Sequence, residues 1–127
     1  MIGKIFPSFF PYKDKGEVKH KSRPVLIIAV PTHPDTEYTV LPVASISRRE
    51  FLNFEFDVNL KVGDHPKISI TRDSYIRTHK QTVIYKTKID FQKCMGNLKI
   101  DYPEKFDEVL EKLCEFETKI IEYAKKA

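Results

Sequence analysis

The sequence predicts a mainly β protein with one C-terminal helix (α+β), its strands forming a small barrel or sandwich. Three observations predict this. The run Val25-Leu26-Ile27-Ile28-Ala29-Val30, opened by Arg23-Pro24, is unbroken, uncharged and bounded by turn residues. A strand buried on both faces has this pattern. Further short apolar or alternating runs follow, separated by Pro, Gly and Asp, as in small all-β folds. The final segment changes period: Phe106, Val109, Leu110, Leu113, Phe116, Ile120, Ile121 and Ala124 recur every three or four residues, which is the stripe of an amphipathic helix.

The 127 residues suffice for one core but not two, so a single domain over 1–127 is expected. Hydrophobic residues make up 41% and charged residues 31%, which excludes a disordered chain. No apolar run approaches the ~20 residues that span a bilayer. Met1-Ile2-Gly3-Lys4 lacks the basic-then-apolar design of a signal peptide. Cys94 and Cys114 make neither a disulfide framework nor a metal site. A cytoplasmic protein is expected, with no membrane, metal or cofactor. The net charge is +4, and the segment from Asp101 onward is net acidic, so the main body is more basic than the whole. A basic body favours a polyanionic partner such as nucleic acid.

Taken in order, Lys4-Ile5-Phe6 and Ser8-Phe9-Phe10 read as a first strand. Pro7 and Pro11 make it an edge strand or a bent one. Residues 12–21, with Asp14, Gly16 and four lysines, read as a flexible basic loop. After the central strand, Pro31-Thr32-His33-Pro34-Asp35 is a turn by composition, with His33 inert. Residues 38–46 form the next strand. Phe54, Phe56, Val58 and Leu60 continue an alternating, half-buried run that begins near Phe51. Residues 67–71 and 82–85 read as further strands. The helix is expected over about 102–125, with Asp101 as N-cap, Glu104 as its capping-box partner and Pro103 in the first turn. Its apolar stripe is expected to close one end of the barrel.

Neither a phosphate loop nor a cluster of metal ligands is present. Instead, three strand ends carry basic and hydroxyl residues: Ser22-Arg23, Ser47-Arg48-Arg49 and Arg77-Thr78-His79-Lys80. Brought together, they make a cationic pocket with a titratable imidazole. Such a pocket suits phosphodiester cleavage in RNA by the adjacent 2′-OH. A base must accept the 2′-proton, an acid must protonate the 5′-oxygen, and cations must stabilise the phosphorane. Arg suits the last role, and His79, with an ordinary pKa near ~6.5, suits proton transfer. The contrasting structural readings are an Arg23 that satisfies loop carbonyls, a Ser47 that merely ends a strand and a His79 that bonds a turn.

Arg23-Pro24-Val25-Leu26-Ile27-Ile28, preceded by a loop containing Gly16-Glu17, resembles the G-x-E…RPVLVI signature of MazF/PemK-type toxins. Val43-Ala44-Ser45-Ile46-Ser47 resembles that family's V-A-x-I-T strand end, and Tyr75-Ile76-Arg77-Thr78 its Q-[IV]-R-T element. The three matches occur in the family's order over roughly residues 2–90. The resemblance implies an SH3-like or CcdB-like β-barrel, a homodimer and a metal-independent endoribonuclease held inactive by a cognate antitoxin. By position it makes Arg23 catalytic or phosphate-binding, Ser47 its hydroxyl partner and Arg77 a contributor to the same pocket. His20, Lys21, Arg48, Arg49, Thr78 and Lys80 are the accompanying candidates for contact with single-stranded RNA. Two departures stand out. Ser47 replaces the usual Thr, and His79-Lys80 stand where many members carry an acidic residue, so proton transfer is assigned to His79. The contrasting functions are a non-catalytic nucleic-acid-binding barrel and a CcdB-like toxin acting on a protein such as gyrase.

Overall fold

Alternation along the central run sends its side chains into two different clusters. The computed structural model describes residues 1–32 and 36–127, without the side chains of residues 10–13 and 20. The central run forms the inner part of β2 (Glu17–Ala29). Leu26 packs with Ile5, Leu41, Val43, Val58, Leu60 and Ile76 on one side. Val25 and Ile27 pack with Phe6, Val40, Ile84 and Ile89 on the other. The strand is thus buried on both faces, as its composition predicts.

β1 (Lys4–Asp14) pairs antiparallel with β2 from Ile5↔Leu26 to Asp14↔Glu17. The segment expected as a flexible loop is therefore two strand ends and a tight hairpin turn. Lys15 and Gly16 both have positive φ (52° and 81°), the combination whose twist matches paired strands. Pro7 faces Pro24 across this ladder. The carbonyl of Pro7 accepts from Asp90 N (2.9 Å), so its polar groups point away from β2. Neither proline therefore removes a bond from the pairing.

β2 pairs with β3 (Glu37–Ala44), with a register shift between Ile27 and Ala29. β3 then divides its other edge. Its first half pairs with β6 (Thr82–Tyr85) and its end pairs with β5 (Ser74–Arg77), which in turn pairs with β4 (Asp57–Leu60). A two-residue β7 (Gly96–Asn97) pairs with the start of β1. Among the described residues the result is an antiparallel sheet curled into a half-barrel. Pro42 stands where β3 passes from one partner to the other, and it has no N–H to leave unpaired there.

Two expected strands are shorter or absent. Alternation from Phe51 is interrupted by Asn53, whose Oδ1 accepts from Glu55 N (3.1 Å) and Phe56 N (3.0 Å). That local turn competes with the ladder, so only Asp57–Leu60 is strand and Phe51 and Phe54 are exposed. Residues 67–71 form no ladder. Ser69 N donates to Met95 O (2.7 Å), and Ile70 N turns back to Ile68 O (2.9 Å).

The C-terminal segment is two helices. α1 (Leu98–Asp101) is capped by Asn97, whose Oδ1 accepts from Ile100 N (3.1 Å). α2 (Pro103–Lys126) follows without a side-chain cap. Asp101 thus ends α1 rather than capping α2, and its carboxylate faces Lys67 (3.7 Å). Phe106 and Val109 of α2 are buried in the first cluster and Leu113 packs against it. Farther along, Phe116 meets the Phe56 ring edge-on at 5.0 Å, while Ile120, Ile121 and Tyr123 are exposed. Only the first half of the stripe is core.

Gly96 joins these layers. Its φ is +145°, and a Cβ there would lie 2.5 Å from Ile68 Cδ1 and 2.9 Å from Lys67 O. Gly96→Ala is expected to cost about 2 kcal/mol or more, read as a lower urea midpoint with an unchanged slope. An unchanged midpoint would refute the close approach.

Candidate active site

The split in β3 creates the site. On β2, Arg23 lies on the same face as Val25 and Ile27; on β3, Pro42 shares that face with Val40. Asp57 and Arg77 stand opposite each other in the β4–β5 ladder. Their neighbours Val58 and Ile76 enter the helix-covered cluster, so Asp57 and Arg77 point to the other face. The chain must then cross from β5 to β6, which it does in a short 3-10 turn, Thr78–Lys80. Arg23, Pro42, Arg77, His79, Lys80, Gln81 and Thr82 thereby line one open pocket of about 370 Å³.

Arg77 is held from three sides. Its Nε donates to Asp57 Oδ1 (3.1 Å), and its Nη2 donates to Phe51 O (3.0 Å) and Asp57 Oδ2 (3.4 Å). The Asp57 side chain is fully inaccessible, while that of Arg77 keeps 20% exposure. Asp57 Oδ2 also accepts from Asn53 N (2.8 Å), so the turn that ends the alternation also seats this carboxylate. His79 completes the group. Its Nε2 lies 3.4 Å from Arg77 Nη2 and its Nδ1 3.6 Å from Asp57 Oδ1. An imidazole that accepts at Nε2 carries its proton on Nδ1. That atom is buried and has no hydrogen-bond partner within reach. Phe56 and Phe116 flank the ring, with centroids 6.5 and 6.1 Å away.

Burial pushes the His79 pKa below 6.5; Arg77 and Lys80 push the same way, and Asp57 opposes them. The net shift favours the neutral imidazole. Burial, and then the charge of nearby Arg77, also lower the Arg23 pKa. Two cations held close in a partly desolvated pocket are each made costlier by the other, and an anion between them relieves that cost.

Of the residues singled out from sequence, Arg23, Arg77, His79 and Lys80 are brought to this pocket. Ser47, Arg48 and Arg49 are exposed on the segment leaving β3, outside the pocket lining; the hydroxyl residue lining the pocket is Thr82. Lys21 is exposed on β2, two residues before Arg23. Thr78, which the sequence offers for RNA contact, has a fully buried side chain. Its hydroxyl donates to Phe56 O (2.6 Å) and so fixes the turn. The side chain of His20 and the whole of His33 lie outside the described residues. Asp57 is the residue that sequence reading missed. Within Phe56-Asp57-Val58-Asn59-Leu60 it reads as an ordinary outward position, and only the strand pairing reveals its partner.

Among the described residues, no group of three or more His, Cys, Asp or Glu side chains could hold a metal ion. No helix among them is long and apolar enough to cross a membrane.

The sequence profile of the PemK-like, MazF-like toxins of type II toxin–antitoxin systems matches residues 3–116. Comparison with curated protein sequences gives no match. Among solved structures, the fold is similar to that of the Mycobacterium tuberculosis toxin MazF-mt6, with a TM-score of 0.57 and 17% identity. The similarity covers 87% of this chain and 94% of the other. At that identity the likeness speaks for the fold.

Proposed function

Since the chain belongs to the PemK-like, MazF-like toxins of type II toxin–antitoxin systems, we propose that it is an endoribonuclease cleaving single-stranded RNA through its own 2′-OH. The observation that carries this reading is that Arg23, Arg77 and the His79 imidazole line one open pocket. The scissile phosphate lies between the two guanidiniums. His79 accepts the 2′-OH proton at Nε2, replacing its long contact to Arg77. The 2′-oxygen bonds to phosphorus, the phosphorane charge is met by Arg23 and Arg77, and the P–O5′ bond breaks. The departing 5′-oxygen takes a proton from water, and the hydroxide left behind takes the 2′-proton from the His79 imidazolium, which returns to its neutral form. The products are a 2′,3′-cyclic phosphate and a 5′-hydroxyl, and the chemistry draws on no metal.

Asp57 positions Arg77 and opposes further lowering of the His79 pKa. Lys80 and Lys21 contact phosphates near the scissile bond, and Ser47, Arg48 and Arg49 contact the strand farther along. In this reading the toxin acts as a homodimer in the cytoplasm. A cognate antitoxin whose acidic tail is disordered when free occupies the basic pocket and blocks it.

The test is incubation of the purified protein with a long single-stranded RNA in EDTA. Discrete fragments ending in 2′,3′-cyclic phosphate support the reading, whereas intact RNA across several unrelated sequences refutes it. The pH dependence carries a sign. A neutral His79 is required as base, so cleavage falls as pH drops through its lowered pKa. The acid limb of the single-turnover rate is expected below about pH 6.5 and is expected to be lost in His79→Gln. A limb above that value, or one retained in His79→Gln, removes the imidazole from proton transfer.

A further inference from the structure

Beyond the pocket, the segment between β3 and β4 carries an aromatic and cationic surface that the fold does not use for packing. Phe51 and Phe54 are 60% and 69% exposed. Each has a guanidinium over its ring: Arg48 Cζ lies 6.0 Å from the Phe51 centroid, and Arg49 Cζ lies 5.4 Å from that of Phe54. Arg48 also pairs with Glu50 (3.4 Å), both side chains being largely exposed. Exposed surface pairs of this kind are weak and readily exchanged for a phosphate. The segment is also tied to the pocket, because Arg77 Nη2 donates to Phe51 O (3.0 Å) and Asn53 N donates to the Asp57 carboxylate (2.8 Å).

We propose that Phe51 and Phe54, with Arg48 and Arg49, form a stacking platform for bases of a single-stranded nucleic acid that enters the Arg23–Arg77 pocket. The inference rests on the reading of that pocket as a phosphodiester site. Unpaired bases offer flat π-faces, and a strand offers a phosphate at each step. Alternating phenyl rings and guanidiniums match both. Duplex fits poorly, because its bases are already stacked. A hydrophobic protein partner fits less well, since two permanently charged arginines lie over the rings. The tether through Phe51 O sets the platform's distance from the scissile phosphate, so it selects which nucleotides flank the cut.

The experiment measures binding by fluorescence anisotropy of a labelled, fully 2′-O-methylated single-stranded RNA, which cannot be cut, beside cleavage of the unmodified strand. Phe51→Ala and Phe54→Ala are each expected to weaken binding about ten-fold, and Phe54→Trp is expected to restore it. Affinity for a duplex of the same sequence should not change. Circular dichroism and thermal melting establish that the variants are folded. Unchanged single-strand affinity in both alanine variants overturns the platform. So does a wild-type protein that binds no single strand at micromolar concentration. A change in oligomeric state without a change in affinity assigns the rings to a protein interface and also overturns it. The two inferences separate cleanly. Weakened binding with no cleavage by wild type keeps the platform and refutes the nuclease, whereas cleavage lost in Arg23→Ala but unaffected by Phe51→Ala and Phe54→Ala does the reverse.

Discussion

Arg23→Ala is expected to lower RNA cleavage by about 10²–10³-fold in a protein that stays folded. Arg23 is only half-buried at the pocket edge. Its backbone carbonyl, which accepts from Ser8 Oγ (2.8 Å), is retained in the alanine variant. In the proposed mechanism, the variant loses one of the two permanent charges that would face the phosphorane. Because Arg77 is already committed to Asp57 and Phe51 O, it cannot swing to replace the lost cation. Arg23→Lys is expected to recover part of the rate but not all of it, since an ammonium brings charge without the forked donor geometry. Single-turnover rates on a fixed RNA, beside melting curves, decide the matter. Cleavage within a few-fold of wild type in Arg23→Ala would take this side chain out of the chemistry.

Asp57→Ala is expected to damage both the fold and the pocket. The carboxylate is fully inaccessible and faces Arg77, which is mostly buried. Removing one member of such a pair leaves the other charge uncompensated. Arg77 still reaches water in part, which moderates the penalty, so a loss of about 2–3 kcal/mol is expected. In a chain of this size that lowers the melting temperature by roughly 10 °C. Asp57→Asn keeps the shape and a hydrogen-bond acceptor, so it should cost less stability while still removing the charge. Asp57 raises the His79 pKa against burial, so its neutralisation should move the acid limb of cleavage to still lower pH. A melting temperature and a pH profile both unchanged in Asp57→Asn would show that the carboxylate neither holds Arg77 nor tunes the imidazole.

Much of the architecture follows from local pattern. An uncharged run between turn residues can only bury both faces, and Val25 through Ile27 do so. A three- and four-residue apolar period can only bury one helical face, and Phe106 and Val109 do so. Local pattern was misleading where a side chain offered the backbone another partner. Asn53 closes a turn inside an alternating run, and Asn97 caps an unforeseen short helix ahead of α2. It was also misleading where a charged segment found a strand to pair with, as residues 12–21 do in the β1–β2 hairpin.

For the site, the sequence by itself singles out the groups that carry a charge or an imidazole, and Arg23, Arg77, His79 and Lys80 do line one pocket, although Arg23 stands within β2 rather than at its end. Only the tertiary structure decided which groups share one pocket and which neighbours they meet there. The division of β3 between β5 and β6 sets the turn that carries His79 beside Arg23. The β4–β5 register places Asp57 opposite Arg77. Burial then lowers the pKa of His79. Each depends on contacts between residues far apart in the chain. Composition and spacing record which groups a strand carries and which way they point, whereas the identity of the neighbour across the ladder is fixed only when the sheet closes.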